Sequence, residues 1–265
     1  MRSEILSFLP EDFSWRNNIH YFDSIDSTNT YAKQIASQGA CHGTVIIAGS
    51  QTSGRGRMGR SFHSPESSGI YLSVILRPDC PSTQLMHLTC ATGVAMCDAV
   101  EECTGIRPGI KWINDLVIGS KKIGGILTEL SMRADGHVEY AVVGIGINCN
   151  QAADDFPCEL KEIATSLFAA TAQTVSIPKL SAAMICNLKT MADTLLTAQN
   201  AIMQKYVHDC VTLQKEVVIH ASHGTKTGFA YGVDNDGGLL VRFLDGSCEA
   251  ISSGEASVRG MYGYA

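Results

Sequence analysis

No stretch of this 265-residue chain approaches the ~20 consecutive apolar residues that a bilayer span requires. The segment from Met1 to Trp15 carries Glu4, Glu11 and Asp12 without an apolar core, so it does not read as a secretory signal. The ten cysteines form no Cys-x-x-Cys pair and no zinc spacing. That excludes a zinc ribbon or finger and, at this length, a disulfide scaffold. Scattered among apolar residues, as in Leu88-Thr89-Cys90-Ala91, they predict reduced, mostly buried thiols and a cytoplasmic location. Basic excess is also missing: the formal net charge is −6, which argues against general nucleic-acid binding. There is no Gly-Lys-Ser/Thr ending and hence no Walker A loop, no internal repeat and no low-complexity tract. What is left is an ordinary globular composition, 45% hydrophobic and 17% charged, long enough for one large domain or one plus a small partner.

The most informative feature present is Gly54-Arg55-Gly56-Arg57-Met58-Gly59-Arg60. Glycine lets backbone approach a ligand closely, and arginine offers a permanent charge on a planar donor fork suited to carboxylate or phosphate. Such a tract also suits a basic linker or a nucleic-acid-binding segment. Its flanks favour a held loop, because Thr44 to Ala48 before it and Gly69 to Leu76 after it both read as buried strands.

Asp26-Ser27-Thr28-Asn29 reads as the capped start of a helix that ends at Gly39. Pro81-Ser82 opens a long apolar helix to about Cys103. Short strands follow around Ile110 to Trp112, Asp115 to Ile118, Ile123 to Ser131 and Val138 to Ile147. Turns at Gly119-Ser120 and Asp135-Gly136 separate them. Helices are predicted from Cys158 to Ala169 and from Pro178 to Leu196, the second with Leu180, Met184, Leu188, Met191 and Leu195 at helical spacing. The first ~20 residues read as a short lead-in, too short for a helix-turn-helix module. From about Thr212 short alternating strands predict a small β-barrel, giving domains 1–211 and 212–265.

Three further segments carry chemistry. Lys111-Trp112-Ile113-Asn114-Asp115 and Lys122-Ile123-Gly124-Gly125-Ile126-Leu127 place lysines beside glycines and an acid, which suits phosphate or carboxylate and equally a solvated hairpin. Gly144-Ile145-Gly146-Ile147-Asn148 is a strand with two glycines, marking a bulged core strand or a close approach by another group. A helix start such as Ser27-Thr28-Asn29 is a cap first, but its N–H groups and hydroxyls also suit a polar ligand head.

In this order, Asp-Ser-Thr-Asn, Gly-Arg-Gly-Arg-x-Gly-Arg, Lys-Trp-x-Asn-Asp, Lys-x-Gly-Gly-Ile-Leu and Gly-x-Gly-Ile-Asn, the chain resembles bacterial biotin–protein ligase. The tail Gly254-Glu255-Ala256-Ser257-Val258-Arg259 is similar to the end of that family's C-terminal barrel. The resemblance implies an α+β fold. A mixed-sheet catalytic domain, of the type shared with class II aminoacyl-tRNA synthetases, carries packed helices and is followed by an SH3-like β-barrel. It also implies the single-function type without a DNA-binding module, so no DNA binding is expected.

The implied reaction joins biotin and Mg-ATP into biotinyl-5′-AMP, then passes biotin to a lysine of a biotin carboxyl carrier protein, such as that of acetyl-CoA carboxylase. ATP, Mg²⁺ and biotin are consumed or recruited, and no tightly bound prosthetic group is expected. By position, Arg57 and Lys122 match the catalytic cations. Ser27, Thr28, Asn29, Gln51, Arg55 and Gly56, with Arg57 and Lys122, match the biotin side. Arg60, Phe62, Lys111, Asn114 and Asn148, again with Arg57 and Lys122, match the ATP side, and Asp115 the Mg²⁺. Residues from about Ser53 to Phe62 are expected to order over the adenylate and exclude water. The carrier is expected to meet a sheet edge, which is also open to homodimerisation.

Three positions depart from the common pattern: Met58 replaces a frequent arginine, Ile113 a frequent proline and Phe62 a common tryptophan. Two rival readings are a lipoate–protein ligase and a biotin sensor without turnover. The loop and the Gly-Ile-Gly-Ile-Asn segment disfavour the first, and the presence of Arg57 and Lys122 disfavours the second. His42 and His63 lie near the motifs, but neither is singled out as a general base.

Overall fold

In the computed structural model, which describes residues 1–221, 224–252 and 256–260, the chain builds two sheets. The strands of the larger are β1 (Ile19–Phe22), β2 (Thr44–Ala48), β3 (Gly69–Leu76), β4 (Gly109–Lys111), β5 (Asp115–Ile118), β6 (Lys121–Met132) and β7 (Val138–Asn148). Among the described residues they lie in the order β1-β2-β3-β7-β6-β5-β4. The β1–β2 pair is parallel and the other neighbours are antiparallel, so the sheet is mixed, as the resemblance implies. The helices are α1 (Arg2–Ser7), α2 (Thr28–Ser37), α3 (Leu88–Thr104), α4 (Leu167–Thr171), α5 (Ile177–Thr194) and α6 (Gln199–Asp209).

Strand alternation gives the sheet two unlike faces. Val45, Ile47, Leu72, Val74, Val143 and Ile145 point to one, where they share a single core with the apolar stripes of α3 and α5. In α5 the predicted Leu180, Met184, Leu188 and Met191 are all buried, and Leu195 lies buried just past its end. Ile46, Ile75 and Val142 point to the other face, against Ala32 and Ala36 of α2. The short side chains of α2 let it lie close on the sheet, yet it covers only part of that face. The remainder, toward β6 and β5, is open and becomes the cleft described below.

Several local expectations differ from the fold. The lead-in is structured, contributing α1 and the edge strand β1. A 3-10 turn over Ser82–Leu85 precedes α3, which starts only at Leu88. The predicted helix from Cys158 to Ala169 is replaced by turns followed by the short α4. Its backbone is committed elsewhere: the Lys122 N–H donates to Ile163 O at 2.9 Å and the Thr165 N–H to Lys122 O at 2.8 Å. Helix α6 carries a weak pattern, with only Met203, Tyr206 and Asp209 buried, and so leaves little signal. Cysteine usage differs in part, since Cys41, Cys158 and Cys248 are exposed, although all ten thiols are free. Burial pushes the Cys149 thiol up to about 12, which leaves it protonated and unreactive.

The second sheet is antiparallel and comprises β8 (Lys215–Ala221), β9 (Gly224–Val233), β10 (Leu239–Phe243), β11 (Cys248–Ile251) and β12 (Ala256–Gly260), ordered β11-β10-β9-β8-β12. Val217, Ile219, Ala230, Leu239 and Val241 fill its interior, in keeping with a small SH3-like barrel. Within the tail segment, Ala256 to Arg259 fall in β12, while Gly254 and Glu255 lie outside the described residues.

The turn between β9 and β10 reaches back to the first sheet. Asp234 Oδ1 accepts the Asp236 and Gly238 N–H groups and so shapes it. The Trp112 indole N–H then donates to Gly237 O at 2.8 Å. Gly237 has φ +89°, and an added Cβ would sit 2.9 Å from Cys90 Sγ. Gly237→Ala is therefore expected to destabilise the protein by roughly 1–3 kcal/mol, through left-handed strain plus the collision. Urea unfolding measures this, and an unchanged midpoint would contradict the packing described.

Candidate active site

The open half of the sheet face is floored by glycine. Register places Tyr71, Gly146, Gly125 and Asp115 in one row across β3, β7, β6 and β5, and Ser73, Gly144 and Leu127 in the next. A Cβ on Gly144 would collide with the Asn29 carboxamide. One on Gly146 would meet the Phe62 ring at 2.5 Å. The glycines of this strand therefore admit Asn29 and Phe62 to the sheet surface. The resulting cleft is about 730 Å³, within the usual range for small-ligand sites. Trp112, Leu127 and Ile163 supply apolar wall.

A second local device brings Lys122 into the cleft. The β5–β6 register pairs Leu116 with Gly124 but Val117 with Lys122, so β6 holds one extra residue there. Such a bulge reverses the alternation, and Lys122 comes to share a face with Gly125 instead of opposing it. Its Nζ lies 2.5 Å from Asp115 Oδ1 and its aliphatic stem crosses Gly125. Asp115 Oδ1 also accepts the Asn114 amide at 3.2 Å, and Asn114 Oδ1 accepts Arg57 at 2.8 Å. Lys122, Asp115, Asn114 and Arg57 thus form one contiguous polar wall. Burial pulls the Arg57 guanidinium below its ordinary value, Asp115 opposes that, and Arg60 adds to it. Guanidinium basicity is high enough that Arg57 stays charged.

The arginine-glycine tract is a narrow hairpin. Phe62 N–H donates to Gly54 O at 2.9 Å and Gly56 N–H to Arg60 O at 2.7 Å, with Arg55 and Ser61 paired between them. Its tip turns through Met58 at φ +55° and Gly59 at φ +74°. Both loop ends are stitched down: Ser53 N–H donates to Asp26 O at 2.9 Å, and Gln51 Nε2 to Ser64 Oγ at 2.9 Å.

The α2 N-terminus forms the far end of the cleft. Ser27 caps it, accepting the Thr30 N–H at 3.4 Å. Gln51 Oε1 accepts the Thr28 N–H at 2.9 Å and lies 3.1 Å from the Thr28 hydroxyl. Beneath, Ser73 Oγ lies 2.6 Å from Asn29 Oδ1 and 2.8 Å from Thr28 Oγ1. Ser73 has one proton, and the Asn29 carbonyl can only accept, so Ser73 donates there. That fixes the Asn29 amide, whose Nδ2 donates to Glu129 Oε2 at 3.0 Å and Leu127 O at 3.3 Å. Glu129 Oε1 accepts Lys33 at 2.7 Å and lies 3.5 Å from Arg55.

Of the positions singled out by sequence, Ser27, Thr28, Asn29, Gln51, Arg55, Gly56, Arg57, Arg60, Phe62, Lys111, Asn114, Asp115 and Lys122 all line this cleft. Asn148 does not. It sits buried at the end of the glycine row, its Nδ2 donating to Thr165 O at 3.0 Å and its Oδ1 3.5 Å from Gln151 Nε2. Glu162 and Ile163 line the cleft without any motif to announce them. They arrive through the backbone pairing with Lys122, which is a tertiary feature. Glu129 also escaped notice, although it lies only two residues beyond the Lys-x-Gly-Gly-Ile-Leu segment, on the same face as Gly125 and Leu127.

A half-covered mixed sheet with a glycine floor, a cationic hairpin above it and a small β-barrel behind it define an α+β ligand-handling domain of ligase type. Known proteins give that class its family. Residues 21–148 match the biotin/lipoate A/B protein ligase family and residues 212–259 the biotin protein ligase C-terminal domain. The bifunctional ligase/repressor BirA of Bacillus spizizenii is 38% identical over 227 residues, covering 85% of this chain and 70% of that protein. The biotin–[acetyl-CoA-carboxylase] ligase of Mycobacterium tuberculosis is 29% identical over 235 residues, covering 86% and 84%. The solved biotin protein ligase of Aquifex aeolicus, in complex with biotin and ATP, superposes with a TM-score of 0.79 at 30% identity, covering 91% of this chain and 98% of that one. The chain belongs to the biotin/lipoate A/B protein ligase family, as a biotin protein ligase.

Glu129 gives the site a measurable pH signature. Burial alone would raise its carboxyl, but hydrogen bonds from Lys33 and Asn29 and the Arg55 charge outweigh that and hold it below the ordinary value. With the native pKa below the unfolded one, ionised Glu129 stabilises the fold above the unfolded value of about 4.3. That contribution is lost as pH falls through the native pKa. The stability gap between wild type and Glu129→Gln is therefore expected to be largest near neutrality and to shrink progressively below roughly pH 4–5. Urea midpoints measured from pH 7 to pH 3 test this, and a gap independent of pH would refute it.

Proposed function

We propose that this chain is an ATP-dependent biotin–protein ligase that makes biotinyl-5′-AMP and transfers biotin to a carrier-domain lysine, with residues 1–211 as catalytic domain and 212–265 as C-terminal barrel. The observation that carries this reading is the convergence of Arg57 and Lys122 on one cleft with the α2 N-terminus. The solved Aquifex aeolicus biotin protein ligase holds biotin and ATP.

In the first step a biotin carboxylate oxygen attacks the α-phosphorus of ATP. A C(=O)O–P bond forms, the bond to the oxygen bridging the α- and β-phosphorus breaks, and pyrophosphate leaves with the electron pair. The reacting groups are both anions, so fixed cations dominate the barrier. Lys122 and Arg57 take this role, held in place beforehand by Asp115 and Asn114. In our assignment Ser27, Thr28, Gln51 and Arg55 surround the ureido head, Asn29 supports them, and Gly56 lies over the carboxylate. Trp112, Leu127 and Ile163 suit the apolar body of biotin. Arg60, Phe62, Lys111 and Asn114 face the nucleotide, while Asn148, which matches the adenine side by position, lies buried just beyond the cleft lining.

Magnesium enters as Mg-ATP. Among the described residues no group of three or more His, Cys, Asp or Glu side chains converges. A single carboxylate, Asp115, beside a phosphate site fits an ion held mostly by nucleotide oxygens and water. A Mg²⁺ held beside Asp115 would offset phosphate charge. In the second step the uncharged lysine amine attacks the acyl carbon, a C–N bond forms, the C–O bond to phosphate breaks, AMP leaves and the ammonium proton passes to solvent. The Ser53–Phe62 hairpin serves as the cover that keeps water from the mixed anhydride. The carrier domain is that of a biotin-dependent carboxylase such as acetyl-CoA carboxylase. It docks at a sheet edge, and the same edges serve any homodimer.

Incubation with biotin, Mg-ATP and a biotin carrier domain is expected to add one biotinyl group to the carrier, seen by mass spectrometry. Lipoate in place of biotin is expected to give no product. Lys122→Ala is expected to lower pyrophosphate release on the order of 10²–10³-fold while biotin binding falls far less. Wild-type pyrophosphate release by that variant would remove Lys122 from its assigned role. Arg57→Gly is expected to release biotinyl-AMP and label lysines on unrelated proteins. Labelling confined to the cognate carrier would count against the cover.

A further inference from the structure

The contacts of Asn29 and Glu129 close a ring. Gln51, just ahead of the arginine hairpin, bonds Thr28. Thr28 touches Ser73, and Ser73 donates to Asn29. Asn29 donates to Glu129 at 3.0 Å, and Glu129 faces Arg55, inside the hairpin, at 3.5 Å. The chain of partners thus leaves the hairpin at its base and re-enters it at its first arginine, passing through the buried side chains under the α2 N-terminus. Glu129 is the only acidic member of this ring and makes its link to the hairpin. Its position is enforced: β6 alternation puts it on the cleft face beyond Leu127, and Gly144 leaves the room that Asn29 needs to reach it.

We propose that Glu129 is a positioning residue that anchors the arginine hairpin through Arg55 and ties that anchorage to the substrate end of the cleft through Asn29. Two features support a purpose beyond holding α2. Lys33 alone would satisfy a carboxylate that only had to fasten the helix, at 2.7 Å. Yet Glu129 also takes the Asn29 amide, leaving the Asn29 carbonyl turned to Ser73, which in turn touches Thr28. A ligand that tightens Thr28 and Gln51 therefore tightens, through Asn29, the carboxylate that holds Arg55. Arg55 is 47% exposed, so the anchor is a modest one, able to form and release within a catalytic cycle.

This inference rests on the biotinyl-AMP reading, and its test separates the two. Wild type is first shown to form biotinyl-AMP, and failure there overturns the proposed function. The dissociation rate of pre-formed biotinyl-AMP is then measured for Glu129→Gln, Arg55→Ala, the double variant and Lys33→Met. Glu129→Gln keeps the shape and hydrogen-bonding reach of the side chain while removing its charge. It is expected to release the adenylate about two- to fivefold faster, the scale of one half-exposed ion pair. The maximal rate of pyrophosphate release at saturating biotin and ATP is expected to stay within about twofold, since the ring touches no reacting atom. The double variant is expected to match the worse single variant, the signature of coupled residues. Lys33→Met, which loosens α2 but leaves the Arg55 contact, is expected to leave release unchanged. Unchanged release by Glu129→Gln, additive losses in the double variant, or the same loss from Lys33→Met would each overturn the proposal. Without any ligand, cleavage of residues 53–62 by a nonspecific protease is expected to quicken in Glu129→Gln. Equal cleavage would overturn the anchor whatever the substrate proves to be.

Discussion

Glycine at 125, 144 and 146 strips side chains from the one part of the sheet that no helix covers, and the architecture of the cleft follows from that. In a mixed sheet of bulky β-branched residues, an uncovered face would ordinarily be either apolar and sticky or packed by another helix. Here the same strip is emptied, so backbone forms the floor and groups from three directions descend onto it. Asn29 comes from α2, Phe62 from the hairpin and the Lys122 stem from the bulge in β6. Each occupies space that a single methyl group would deny. The opposite face pays no such cost: α3 and α5 fill it with a continuous core, which keeps the floor rigid while its upper surface stays open.

The charges on that floor are arranged so that none is stranded. Removing a lysine from water without a partner is costly, and a free side chain there would swing toward solvent. Lys122 instead rests on Asp115, and Arg57 on Asn114, with Asn114 also bonded to Asp115. On the proposed reading, an incoming phosphate or carboxylate would exchange one anionic or polar partner for another instead of ordering a mobile cation. Preorganisation of this kind concentrates the electrostatic benefit at the moment when negative charge builds up between the reactants. The barrel contributes at a distance. Gly237 O accepts the Trp112 indole N–H, and Thr212 Oγ1 accepts the Trp112 N–H, so the segment carrying Lys111, Asn114 and Asp115 is held from behind by the second domain.

What the amino-acid sequence disclosed divides along physical lines. Strands β2 and β3 were legible because they are largely apolar, wholly buried and punctuated by turns, and α5 because its buried residues keep helical spacing. The mixed sheet and the SH3-like type of the barrel came from the family resemblance, whereas the barrel itself was legible in the short alternating strands after Thr212. The cleft-lining segments were legible because glycine and arginine in short order are rarely needed for packing alone. Elements were lost where tertiary pairing decides. The 158–166 segment has helical composition, yet its backbone bonds Lys122 and cannot coil. The bulge that turns Lys122 toward the cleft is invisible in Lys-Lys-Ile-Gly-Gly, where strict alternation would have sent it to the other face. Glu129 escaped for a related reason: its partners Asn29, Lys33 and Arg55 are distant in sequence, and a glutamate in a strand reads as solvent-facing until they are brought together.

Met58 illustrates how geometry revises a substitution that sequence alone makes worrying. Losing a frequent arginine from an anion-binding loop suggests weaker closure. The Met58 side chain, however, is 70% exposed at the tip of the hairpin, where a charge would face water and be screened within about 8–10 Å at ordinary salt. Arg57, next to it, is substantially withdrawn from water and bonded to Asn114, so its charge acts in a far less screened setting. Any electrostatic grip of the loop on a bound anion would therefore be concentrated at position 57, and the identity of residue 58 matters chiefly for backbone. There methionine adopts φ +55°, a conformation that costs a non-glycine residue on the order of 1–2 kcal/mol. Gly59 beside it accepts φ +74° without that penalty, and the Gly56–Arg60 and Gly54–Phe62 hydrogen bonds below hold the turn closed against the strain.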